Sequence, residues 1–91
     1  MEQLNETSRK FAYPKLTQVG DDLVLTTRDY FVIITSDELE KIKRLVIGEG
    51  KTIYIHKETM LVYMKDNYVI FEKLRDVNNF RRILMVSASK L

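Results

Sequence analysis

The sequence predicts an α+β fold with a mainly antiparallel sheet, in the order β-β-β-α-β-β-β-α. Three observations carry that expectation. Residues 24–34 (VLTTRDYFVII) lie without a gap over residues 61–71 (LVYMKDNYVIF), so that Asp29, Val32 and Ile33 recur as Asp66, Val69 and Ile70. The apolar pattern changes from helical spacing to alternation beyond Gly50. The links between candidate strands are short and turn-like, as hairpins require, which favours antiparallel pairing with helices gathered on one face. The echo implies an internal duplication of a hairpin-plus-helix unit.

Residues 1–10 show no sustained periodicity and read as a flexible N-terminal arm, leaving 11–91 as a single α+β domain. Pro14 pushes Tyr13 toward an extended conformation, and a first strand follows over 15–19. Gly20, Asp21 and Asp22 form a turn, since glycine and aspartate tolerate turn geometry. Strands over 23–27 and 30–35 are rich in β-branched and aromatic residues and flank a tight charged turn. Thr35 and Glu38 have capping-box spacing at the start of a helix. Leu39, Ile42, Leu45 and Val46 share one helical face, and Gly48 offers a left-handed stop.

In 51–57, Ile53 and Ile55 alternate with Thr52, Tyr54 and His56, which describes a strand with one buried and one wetter face. Strands over 60–64 and 68–72 form the second hairpin. After Asp76, the residues Val77, Phe80, Ile83 and Leu84 have helical spacing and predict a C-terminal helix fraying through Ser87, Ala88 and Ser89; the run Ile-Leu-Met-Val also fits a strand.

At 91 residues the chain suffices for one core and no second. Apolar content of 45% with 31% charged residues is that of a folded protein rather than a disordered one. The formal net charge is only +2, so any basic footprint must come from local segregation. The absence of cysteine excludes disulfides, thiol chemistry and cysteine-ligated metals. The polar, acidic start lacks the pattern of a secretory signal, and the longest apolar runs are strand-sized, far below the roughly 20 residues of a membrane span. A cytoplasmic location without a membrane partner is expected.

Catalysis finds little support. His56 is the one histidine, and on a strand Lys57 would point away from it. No nucleophile motif, phosphate-cradling glycine loop or metal-ligand cluster is present, so no enzyme, cofactor or metal is expected. Two features suggest binding instead. Tyr54 and His56, at i and i+2, would share one side of a strand as stacking platforms, with Lys51 and Lys57 bracketing them for phosphate. Lys41, Lys43 and Arg44 on the first helix, with Arg75, Arg81 and Arg82 near the second, would form a phosphate-tracking stripe. Dipole complementarity alone accounts for the first cluster, and a half-buried strand position accounts for Tyr54.

The topology resembles, in outline, that of several single-strand-binding and transcription-associated families, though none of their residue motifs is matched. The expected function is a small non-catalytic nucleic-acid-binding or transcription-associated module, with basic helix faces on phosphate and aromatic stacking. The alternative is a protein-interaction module, a small inhibitor or adaptor, acting through a sheet face or edge. Unpaired strand edges further predict a homodimer, formed through an edge or a face bearing Tyr63 and Tyr68.

Overall fold

A computed structural model of the chain describes residues 14–28, 30–74 and 82–91; the expected arm over 1–10 lies outside the described residues. The fold is α+β with two antiparallel sheets. The elements are β1 (Lys15–Val19), β2 (Asp22–Thr26), β3 (Phe31–Ile34), α1 (Ser36–Lys41) running into a π-helical stretch (Ile42–Gly48), β4 (Ile53–Ile55), β5 (Met60–Lys65), β6 (Tyr68–Lys73), β7 (Arg82–Ser87) and a closing 3₁₀ turn (Ala88–Lys90). They fall into two compact units, Met1–Ser36 and Asp37–Leu91.

The first unit is a three-stranded meander, β1-β2-β3, in which Leu16 pairs with Leu25 and Leu25 with Val32. Strand alternation sends Leu25, Val32 and Ile34 to a buried face, and Val19, Phe31 and Ile33 to an exposed one. Thr27 closes the β2-β3 hairpin: its amide donates to the Tyr30 carbonyl at 2.8 Å, and its hydroxyl donates to the same carbonyl at 2.9 Å and accepts from the Tyr30 amide at 3.0 Å. At the end of β3, the Ser36 amide donates to the Asp22 carboxylate at 3.2 Å, satisfying one of the amides that a helix start leaves without an intrahelical partner.

The second unit is a four-stranded sheet, β4-β5-β6-β7, with the helix packed against β4 and β5. Its core joins Ile42 and Val46 to Ile55, Met60, Val62, Val69, Phe71, Leu84 and Val86. Phe71 sits at the centre, paired with Val62 on one side and Leu84 on the other. The helix ends at Gly48, but the left-handed position falls two residues further on. Gly50, at φ 68°, takes the left-handed position, and its amide bonds to the Val46 carbonyl while that of Lys51 bonds to Leu45. Both bonds reach one residue further back than in the usual glycine cap, because the preceding turn is π-helical.

The echo is a repeat of strand register. β1 pairs with β2 through Leu16↔Leu25, Thr17↔Val24 and Gln18↔Leu23, and 37 positions later β4 pairs with β5 through Ile53↔Val62, Tyr54↔Leu61 and Ile55↔Met60. The buried residues Leu25, Val32 and Ile34 correspond to Val62, Val69 and Phe71, which are also buried. Even the backbone turn recurs: Gly20 has φ 64°, and its counterpart Lys57 has φ 58°. The following hairpins differ by a slide of two residues, Leu25 facing Val32 in one and Val62 facing Phe71 in the other. A slide of two keeps every side chain on its face, whereas a slide of one would turn the core outward.

The repeat stops there. The first copy is followed by a helix as expected, but the second is followed by β7, and the C-terminal helix is corrected to a strand over Arg82–Ser87. Helical spacing put Ile83 and Leu84 on one face. Pairing with β6 instead buries Leu84 and Val86 and exposes Ile83 and Met85, an alternation of period two that also suits the β-branched residues Ile83 and Val86. Residues 75–81 lie outside the described residues.

Candidate interaction surface

The four-stranded sheet has two faces of different character. The helix packs on the core side, so the opposite face is built from the alternate residues of each strand. One cross-strand row reads Tyr54, Leu61, Glu72, Ile83, and the next reads Tyr63, Ile70, Met85. Tyr68 extends the face beyond Lys65. Tyr54 is 52% exposed, Tyr68 43%, Ile83 53% and Met85 48%, so large apolar side chains meet solvent at both sides of the sheet. Between them Leu61 and Tyr63 are half-buried, and Ile70, 3% exposed, is buried in the middle of the face.

One carboxylate lies within this surface. Glu72 is only 6% exposed, flanked across the strands by Leu61 and Ile83. The Tyr63 hydroxyl, its diagonal neighbour, donates to Glu72 Oε1 at 3.2 Å. A buried carboxylate needs such donors to offset lost hydration.

The residues predicted to bind nucleic acid are not brought into one site. Lys41 ends α1, and Lys43 and Arg44 lie in the π-helical stretch; all three are exposed. They project from the helix layer, whereas Tyr54 occupies the far side of the sheet, so stacking and phosphate contacts would fall on opposite surfaces. Lys51 is exposed beside Glu49, its Nζ 3.3 Å from Oε1. Arg75 and Arg81 lie outside the described residues, and Arg82 begins β7 rather than a helix.

The shared Tyr54/His56 face also requires correction. β4 ends at Ile55, and His56, Lys57 and Glu58 follow with φ of 54°, 58° and 68°, so the strand alternation linking Tyr54 to His56 does not continue. Three successive side-chain-bearing residues in the left-handed region are costly, each by about 1–2 kcal/mol. Thr59 ties the turn down through its amide, 3.1 Å, and hydroxyl, 2.7 Å, both donating to the His56 carbonyl. The His56 ring turns toward α1, with Nε2 3.7 Å from Glu38 Oε1, while Lys57 is exposed in the turn.

Sequence reasoning had marked Tyr54, Tyr63 and Tyr68 but missed Ile83, Met85 and Glu72. The signal was present in the alternation of the run Arg82–Ser87 and was hidden by the competing helical spacing with Phe80. Among the described residues there is no group of three or more His, Asp or Glu placed to hold a metal ion, and no helix long and apolar enough to cross a membrane. No family model, curated protein or solved structure matches the chain.

Proposed function

We propose that the chain is a non-catalytic protein-interaction module whose binding surface is the outer face of the four-stranded sheet. The observation that carries this reading is the set of exposed large apolar side chains, Tyr54, Tyr68, Ile83 and Met85, around the buried Ile70 and Glu72. Interface cores are enriched in aromatic residues and methionine, as is the exposed part of this face. Rigid side chains on paired strands also lose little conformational entropy on binding.

Nucleic-acid binding is the second reading, favoured by the exposed Lys41, Lys43 and Arg44. A net charge of only +2 weighs against it. A photocrosslinking amino acid distinguishes the two. Placed at Tyr54, Tyr68 or Ile83 it should yield protein adducts in cells, and at Lys43 or Arg44 none. Adducts from the helix positions alone, or a salt-sensitive nucleic-acid complex lost in Lys43→Ala/Arg44→Ala, would overturn the proposal.

A further inference from the structure

The backbone of β7 is as informative as its side chains. The Ala88 amide bonds to the Asn67 carbonyl at 3.0 Å, continuing the β6-β7 register in which Tyr68 pairs with Ser87. In an antiparallel ladder, hydrogen-bonded and non-bonded pairs alternate, and the N–H and C=O of one residue point to the same side. That single bond therefore fixes the phase of the strand. Leu84 and Val86 direct their amides and carbonyls to β6, while Ile83, Met85 and Ser87 direct theirs away from it. β7 is the last strand of its sheet, so this outward row meets no strand among the described residues. Natural edges are commonly protected by proline, charge or a bulge, and the run Ile83, Leu84, Met85, Val86 carries neither proline nor charge and pairs with β6 without a bulge.

We infer that β7 pairs with β7 of a second copy of this chain, antiparallel about a two-fold axis at Met85. The proposal goes beyond the reading of the outer face: it uses the edge of the same sheet and leaves that face open to another partner. The occupant follows from complementarity. Directly opposed residues must share a face, and the outward-pointing residues must oppose one another. A two-fold centred on Met85 meets both conditions and uses the whole outward row: Met85 faces Met85, and Ile83 faces Ser87. Each such pair exchanges two bonds, closing about six in all. Leu84 then lies beside Val86 of the other copy on the core side, and the exposed methionines meet on the outer side. The only charge in the strand, Arg82, falls opposite Ala88 rather than a like charge. Two four-stranded sheets become one continuous sheet with a joined outer face.

The chain has no cysteine, so one introduced thiol reports unambiguously. In the proposed register two Met85→Cys residues stand with Cα atoms about 5.5 Å apart, within reach of a short bis-maleimide. Two Tyr54→Cys residues stand seven strand spacings apart, about 33 Å, and out of its reach. The wild type should sediment as a dimer, Met85→Cys should cross-link and Tyr54→Cys should not. Met85→Pro removes only an outward amide, as proline on an edge strand can, and should give a folded monomer. Leu84→Pro removes a bond to β6 and should unfold the sheet. If Met85→Pro also fails to fold, Ile83→Lys/Met85→Lys leaves the backbone intact and should give the monomer instead. A dimer that survives whichever of these two variants is folded, or cross-linking at Tyr54→Cys as fast as at Met85→Cys, overturns the pairing. A wild-type monomer at high micromolar concentration overturns it too, yet if a photocrosslinker at Tyr68 still captures protein, the outer face stands as an interaction surface for another partner. Loss of both signals removes both.

Discussion

Truncating two neighbouring residues of β7 separates a strand from a helix. Leu84 is 1% exposed and packs in the core beside Phe71, while Ile83 is 53% exposed on the opposite face. Removing a fully buried leucine side chain down to alanine costs about 2–5 kcal/mol, combining lost transfer energy with the cavity left behind. For Ile83, folding hides only about half of a side chain whose complete burial is worth roughly 1.5–3 kcal/mol, so Ile83→Ala should cost about 1 kcal/mol or less. In a domain of this size 1 kcal/mol corresponds to about 4–8 °C in the unfolding midpoint. Leu84→Ala should thus lower the midpoint by at least about 8 °C, and Ile83→Ala by about 8 °C at most and at least two-fold less than Leu84→Ala in the same protein. The assay is thermal unfolding followed by circular dichroism, at low micromolar protein so that association contributes little. On a helix the two residues would sit on one buried face and cost alike. Equal losses would refute the strand.

Other consequences can be checked in the same way. Gly20→Ala should destabilise by about 1 kcal/mol although nothing lies within 4 Å of the added methyl, because the penalty arises from φ 64°. Lys57→Gly, at the equivalent turn of the second copy, should raise the midpoint by a few degrees, since relief of left-handed strain outweighs the entropy glycine adds to the unfolded chain. Tyr63→Phe should cost about 1–2 kcal/mol in denaturant unfolding by removing a donor from the buried Glu72 carboxylate. Lys43→Ala/Arg44→Ala should stay within about 0.5 kcal/mol of wild type, both side chains being exposed.

The three-stranded first unit and the hairpin of β5 and β6 were legible because their residues favour strands both locally and in the core. Val32 and Val69, or Ile34 and Phe71, are β-branched or aromatic and buried alike. Local and tertiary preferences agreed there, and pattern sufficed. β7 was obscured because Phe80, Ile83 and Leu84 satisfy helical spacing, and only the pairing partner β6 decides which period is realised. The left-handed cap falls at Gly50 rather than Gly48 because the last turns are π-helical, a choice of hydrogen-bond length that side-chain periodicity does not encode. For the site, Tyr54 was placed correctly on an exposed strand face, but His56 was not, since the left-handed turn after Ile55 ends the alternation. Lys41, Lys43 and Arg44 are exposed. What the sequence did not reveal is that Lys41, Lys43 and Arg44 lie on the helix side of the sheet and Tyr54 on the other.

The most direct test of the interaction surface is amide hydrogen exchange resolved along β7 as protein concentration rises. The amides of Leu84 and Val86, bonded to β6, should be protected throughout. Those of Ile83, Met85 and Ser87 should exchange rapidly in dilute protein and become protected together as copies associate. Rapid exchange at these three positions at every concentration, in a sample shown by sedimentation to be associated, would place the contact elsewhere and contradict the account.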